Sequence, residues 1–225
     1  MTARERAGAQ RPRARTAPGG ERTRSFNLVL AGVGGQGILL TGRLVCQAAM
    51  EQGYAVNAFE SHGMAQRGGA VYSHVRWGSM VRSSLILDGQ ADLVVALEPV
   101  ESLRQLRLLS PRTTAVVNIR TIVPISVSSV RGSRYPDASS AVASLASHVG
   151  EVLALDGSAI AEGLGNPMLL STVMTGAAWA SGRLPLEREL LRQAVREIVP
   201  PRYLEANLEA FELGQKAVAA AAAGR

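Results

Sequence analysis

Cysteine and lysine are almost missing from this chain: Cys46 and Lys216 are each the only one of their kind among 225 residues. A lone cysteine excludes an internal disulfide framework and any iron–sulfur cluster held by this chain by itself. Cys46 falls in an apolar stretch predicted as helix over 38–52, where the default role is a small buried hydrophobe. A lone lysine near the end of the chain excludes Schiff-base chemistry and a Walker-type phosphate lysine. Aromatic residues make up 4% of the chain, too few for a base-stacking platform, so no nucleic-acid partner is expected. No segment reaches the ~18–20 uninterrupted apolar residues that span a bilayer, which predicts a soluble, cytoplasmic protein without a membrane partner. Nor is there a His/Cys/Asp cluster at metal spacing, a nucleophile elbow, or a Gly-Asp-Gly followed by the Asn that holds magnesium and thiamine diphosphate. The chain brings no reaction centre of its own.

Charge is present but uneven. The net charge is +6, yet residues 1–25 hold seven arginines against Glu5 and Glu21, which leaves +1 for everything after them. A basic patch on the folded body is therefore not implied. The tail is rich in Pro, Gly and Ala and poor in apolar residues, so residues 1–25 are expected to be disordered. They lack the apolar core of a secretory signal and read as an untargeted extension. Residues 26–225 suit one domain, with 165–225 as its helical C-terminal part.

What the chain does have is glycine at telling places. Ala31-Gly-Val-Gly-Gly-Gln-Gly-Ile38 follows the apolar run Phe26 to Leu30. Gly32 permits a tight turn, Gly34 and Gly35 let backbone N–H groups approach an anion, and Gly37 opens a helix whose N-terminus is partly positive. Gln36 completes this candidate nucleotide or phosphate turn. The spacing Gly32-x-Gly34-x-x-Gly37 also occurs where a strand merely turns tightly into a helix.

Continuous apolar runs at 26–31, 55–59, 93–97, 113–119 and 151–155 predict buried strands, alternating with helices over 38–52, about 99–109 and about 139–149. Ala70 to Trp77 and Met80 to Leu87, separated by Gly78-Ser79, predict an antiparallel hairpin with a type II′ turn. The fold class is thus α/β: a Rossmann-like, doubly wound, mostly parallel sheet with an inserted β-hairpin and C-terminal helices beginning at Asn166-Pro167, Pro185 and Pro200-Pro201.

A second glycine-rich segment, Ser61 to Gly69, gathers His62, Gln66 and Arg67 beside Gly68 and Gly69. Arg67 can clamp a phosphate or carboxylate, with the Gly68 and Gly69 N–H groups approaching the same anion. Equally, His62 can satisfy a carbonyl, Gln66 can pin the loop and Arg67 can hold a subunit contact. Glu60 sits where an NAD-binding protein places its ribose carboxylate, 23 residues beyond Gly37. Glu98 ends the run Asp92 to Leu97 at the carboxyl edge, either lining a site or capping the helix that Pro99 starts. Asn118 and Arg120 share that ambiguity.

Four passages, GVGGQGI at 32–38, ESHGMAQRGGAVYSHVR at 60–76, ADLVVALEP at 91–99 and GNPMLLSTVMTGA at 165–177, carry a family resemblance. Residues 26–215 resemble the gamma-type domain of the 2-oxoacid:ferredoxin oxidoreductase superfamily, in the form found in small subunits of indolepyruvate:ferredoxin oxidoreductases. His62, Met64 and Gln66 favour that arylpyruvate type over the pyruvate type. The resemblance implies oxidative decarboxylation: an arylpyruvate, CoA and oxidised ferredoxin give an arylacetyl-CoA, carbon dioxide and reduced ferredoxin. It places thiamine diphosphate, magnesium and the iron–sulfur clusters on a large alpha subunit, the chain's partner, with CoA as co-substrate. The competing readings are a free-standing NAD(P)-dependent oxidoreductase using Gly32, Gly34, Gly37 and Glu60, and a nucleotide-sensing or scaffold module.

Overall fold

The computed structural model describes residues 25–62, 69–79, 81–123 and 135–223. The expectations for residues 1–24 and for Gln66, Arg67 and Gly68 lie outside the described residues. Six strands, β1 (Phe26–Val33), β2 (Ala55–His62), β3 (Ala70–Gly78), β4 (Leu93–Ala96), β5 (Thr114–Asn118) and β6 (Glu151–Leu155), form one sheet in the order β2-β3-β1-β4-β5-β6. Strands β1, β4, β5 and β6 are parallel neighbours, whereas β3 runs antiparallel to both β1 and β2.

Every residue of β1, β4 and β5 is buried. Such strands need cover on both faces, because successive side chains point to opposite sides of a sheet. One face, with Leu28, Leu30, Val95, Val116 and Leu153, packs on α1 (Ile38–Glu51), α5 (Leu170–Ala180), α6 (Arg188–Ile198) and α7 (Leu204–Ala223). The other, with Val29, Val94, Ala96, Ala115 and Val117, meets Leu103 of α2 (Pro99–Leu103) and Leu145 of α3 (Ala138–Ala146). Helix α4 (Gly157–Gly163) follows β6 and leads into the C-terminal helices. No helix among the described residues is long and apolar enough to cross a membrane.

Helices α5 and α7 touch backbone to backbone. A Cβ at Gly176 would lie 2.1 Å from the Phe211 carbonyl oxygen, and one at Gly214 would lie 2.0 Å from that of Val173. Only glycine fits at either position.

The expected hairpin is corrected in one arm. Residues 70–78 form β3, but 81–88 form no strand. The reason is topological: β3 already has β1 on one side and β2 on the other, so it offers no free edge to a following strand. The antiparallel pair is instead β2 with β3, in register from Ala55↔Gly78 to His62↔Val71. Residues 81–88 form an irregular strip tied to this pair by side chains. Asn57 Nδ2 donates to the Val81 carbonyl, and Arg76 to those of Ser83 and Leu85. The Ile86 N–H donates to His74 Nδ1. The predicted helix over 99–109 is shorter too, ending at Leu103 before a 3-10 turn at Leu106–Leu108.

Candidate functional site

At the carboxyl end of β1 the glycine turn is held from three directions. The Gly34 N–H donates to the Gly69 carbonyl at 2.8 Å, which joins the two glycine-rich segments through backbone. The Gln36 side chain accepts the Val33 N–H at 2.7 Å and donates to the Leu97 carbonyl at 2.7 Å. Gln36 is buried, and its amide is spent on shaping the turn. Gly32 is packed on all sides: a Cβ there would come within 2.8 Å of both Gln36 and Ile38.

Gly35 and Gly37 have φ values of +103° and +89°, a left-handed region that glycine enters without penalty. Gly35 is exposed at the tip. Gly37 is the N-cap of α1, which has no side-chain cap and no acidic residue in its first turn. No side chain caps the first N–H groups of α1, and a helix N-terminus with its dipole favours an anion. Ser171 of α5 closes the other side, since a Cβ on Gly37 would sit 2.8 Å from that of Ser171. Thr41 Oγ1 donates to the Ser171 carbonyl at 3.3 Å. Beside Gly37, a mostly apolar cleft of about 390 Å³ lies between Leu40, Met168, Val199, Pro200 and Tyr203.

Ser171 is not among the residues the sequence singled out; it lies in the C-terminal helical part that begins at Asn166-Pro167. The available signal was small and polar residues, Ser171, Thr172 and Thr175, inside an otherwise apolar run. All three are fully buried.

Glu98 is fully buried. Its carboxylate accepts the Glu101 N–H at 2.8 Å as the N-cap of α2 and the Ile122 N–H at 3.4 Å. It therefore acts as a helix cap and has no surface on which to line a ligand site. Burial, with the neighbouring Glu101 charge adding to it, raises its pKa against the pull of these hydrogen bonds. The Tyr135 hydroxyl lies buried beside Glu98 without a hydrogen bond of ordinary geometry. Asn118 Nδ2 donates to Leu97 O at 2.9 Å and to Ser158 Oγ, while its Oδ1 accepts the Ser158 N–H. Arg120 pairs with Glu162 at 3.1 Å and Asp156 at 3.5 Å. Both of these residues brace the carboxyl edge.

His62 ends β2, opposite Val71, and Gly69 is placed by its bond to Gly34. Glu60 stands one strand too far out for the NAD reading. In a dinucleotide-binding sheet the second strand adjoins the first, but here β3 separates them, which puts about 10 Å between β1 and β2. Among the described residues no group of His, Cys, Asp and Glu could hold a metal ion. Burial, helped by Glu60, raises the Cys46 pKa to about 11, so its thiol stays protonated at neutral pH.

A mixed sheet with a glycine turn at the end of β1 and an antiparallel strand wedged beside it defines a Rossmann-like α/β domain. The chain belongs to the pyruvate ferredoxin/flavodoxin oxidoreductase family, whose model matches residues 27–217. It is 38% identical over 189 residues to an indolepyruvate oxidoreductase subunit IorB of Archaeoglobus fulgidus, covering 84% of this chain and 93% of the relative. The fold is that of a keto/oxoacid ferredoxin oxidoreductase gamma subunit from Geobacter sulfurreducens, with TM-score 0.61 and 24% identity over 87% of this chain and 99% of that one. It also matches part of 2-oxoglutarate:ferredoxin oxidoreductase from Magnetococcus marinus, solved with 2-oxoglutarate, coenzyme A and succinyl-CoA bound. There the TM-score is 0.65 at 20% identity, over 88% of this chain but 32% of the longer one.

Proposed function

We propose that this chain is the small, non-catalytic subunit of an indolepyruvate:ferredoxin oxidoreductase. The similarity to IorB subunits over nearly their whole length carries this reading. The complex converts an arylpyruvate, CoA and oxidised ferredoxin into an arylacetyl-CoA, carbon dioxide and reduced ferredoxin. Iron–sulfur clusters do not fit this chain's own residues, since a single protonated thiol cannot supply a cluster's thiolate set, and the sequence has no Gly-Asp-Gly of the kind that holds magnesium and thiamine diphosphate. In the complex they belong to the large subunit, where they supply decarboxylation and electron transfer.

This chain's contribution is a positively polarised turn. The exposed Gly35 and the uncapped start of α1 favour an anionic group, and the phosphates of CoA are the anions this reaction provides. Arg67, from the loop beside Gly69, belongs to the same proposal. The test is co-purification with the large subunit followed by dye reduction dependent on an arylpyruvate and CoA. Assembly with turnover supports the reading. A chain that stays monomeric beside a folded large subunit, or binds NAD tightly alone, defeats it.

A further inference from the structure

Residues 81–88 form no strand, and side chains of β2 and β3 hold them to the face of the sheet that carries Val29. Asn57 Nδ2 donates to the Val81 carbonyl at 3.2 Å, and Arg76 Nη1 donates to the carbonyls of Ser83 and Leu85 at 2.9 Å. The last tie runs the other way: the Ile86 N–H donates to His74 Nδ1 at 3.3 Å. Ile86 is buried in the same core cluster as Val29, whereas Leu85 and Leu87 on either side of it are exposed. Freeing Ile86 therefore opens this corner of the sheet to water.

His74 is 5% exposed. Because its Nδ1 accepts the Ile86 N–H, the proton of the neutral ring sits on Nε2. That nitrogen has no hydrogen-bond partner, and the ring lies 5.8 Å from Phe59 and 5.6 Å from Tyr72 between centroids. Among the described residues no carboxylate pairs with the imidazole. Its own strand sets Tyr72 and Arg76 on the same face, and β1 and β2 bring no ionisable side chain to that face. The strip carries Arg82 and Asp88, and Asp88 is paired with Arg107 of the 3-10 turn at 3.1 Å. Burial, with the Arg76 and Arg107 charges adding to it, holds the His74 pKa below its ordinary 6.5.

We infer that His74 is a proton-sensitive latch for residues 81–88: protonating its ring removes the acceptor of the Ile86 N–H and loosens the strip at that point. An imidazolium carries a proton on both nitrogens and cannot accept a hydrogen bond. The Asn57 and Arg76 ties do not titrate near neutrality, so His74 is the tie that acid breaks. Once the strip opens, the ring regains water and its ordinary affinity for a proton. The open form therefore binds that proton more tightly than the closed one, and its population grows as the pH falls below about 6.5. The gain is about tenfold for each unit that separates the two pKa values. The latch is built from this chain alone and does not depend on the subunit reading.

Amide exchange of the full chain, followed by NMR from about pH 7.5 to about pH 4.5 and expressed as protection relative to unstructured rates, tests this. Ile86 protection is expected to fall at least roughly tenfold over this range, while that of Val116 in the middle of β5 holds. The nitrogen shifts of the His74 ring should show the neutral form protonated at Nε2 near neutrality. His74→Gln keeps an oxygen to accept the Ile86 N–H and does not titrate, so its Ile86 protection should stay level. Level protection in the wild type overturns the inference. So does an equal fall in His74→Gln, which assigns the effect to another group. Equal losses at Ile86 and Val116 mean that the whole domain unfolds, and these overturn it too. If His74→Gln does not fold, the wild-type ring decides: a proton on Nδ1 at neutral pH is incompatible with accepting the Ile86 N–H and overturns the latch.

Discussion

Gln36 and Asn118 reach from different parts of the carboxyl edge to one acceptor, the carbonyl of Leu97, at 2.7 and 2.9 Å. One oxygen therefore ties the glycine turn, the end of β4 and the end of β5 together. The position of the turn depends on a shared hydrogen bond as much as on its own glycines.

Gln36→Ala and Asn118→Ala are each expected to lower stability by about 1–3 kcal/mol, because each strands a backbone N–H, of Val33 or of Ser158. The double variant should lose more than the two together, since only then is the Leu97 carbonyl left without a side-chain donor. Urea unfolding of the four proteins checks this. Simple additivity would show that the two bonds act independently.

Gly176→Ala and Gly214→Ala should each be strongly destabilising. The added methyl would meet a carbonyl oxygen at 2.1 or 2.0 Å, and forcing the helices apart costs at least about 1–3 kcal/mol. Gly163→Ala has open space around its Cβ and should be neutral or stabilising by about 0.4–1 kcal/mol. Thermal midpoints of the three variants that came out alike would contradict the close crossing of α5 and α7.

Burial raises the pKa of Glu98 above its ordinary 4.5, so the folded state binds that proton more tightly than the unfolded chain does. The resulting stability is fully present below about pH 4.5 and is lost as the pH climbs through the raised value. Glu98→Gln retains an oxygen to accept the Glu101 N–H and cannot ionise. Unfolding followed from pH 4.5 to neutrality should therefore show the wild type losing ground to the variant as the pH rises. Glu101 and Asp92, whose pKa values burial also raises, leave a residual slope of the same sign in both proteins. A constant difference between the two proteins across this range would mean that Glu98 does not titrate differently on folding.

Cys46 should react slowly with thiol reagents. Raising a thiol from 9.0 to about 11 leaves about a hundredfold less thiolate at neutral pH, and the thiolate is the reactive form. Ellman's reagent should react slowly with the folded chain and rapidly after denaturation. Equal rates would mean that the helix gives the thiol no protection.

The glycine turn, β1 and α1 were legible because their signals are local: an apolar run, spaced glycines, then a helix. The antiparallel insertion was half legible. Residues 70–77 look like a strand and are one, but 80–87 also look like one. What excludes it is the filling of both edges of β3 by β1 and β2, which no local pattern encodes. Glu98 read equally well as cap or ligand until its complete burial decided for the cap. Nothing local marks Gly176 and Gly214, because their need for glycine comes from a crossing helix distant in sequence. Gln66, Arg67 and Gly68 remain a sequence reading.

Setting β3 between β1 and β2 also limits what this scaffold can become. In proteins that choose among dinucleotides, one carboxylate beside the glycine turn selects the cofactor, so a point mutation can shift the preference. Here that place is taken by a whole strand, and moving Glu60 into reach would require deleting β3 and re-pairing the sheet. Drift toward free-standing dehydrogenase chemistry is blocked by topology, out of reach of any single codon change.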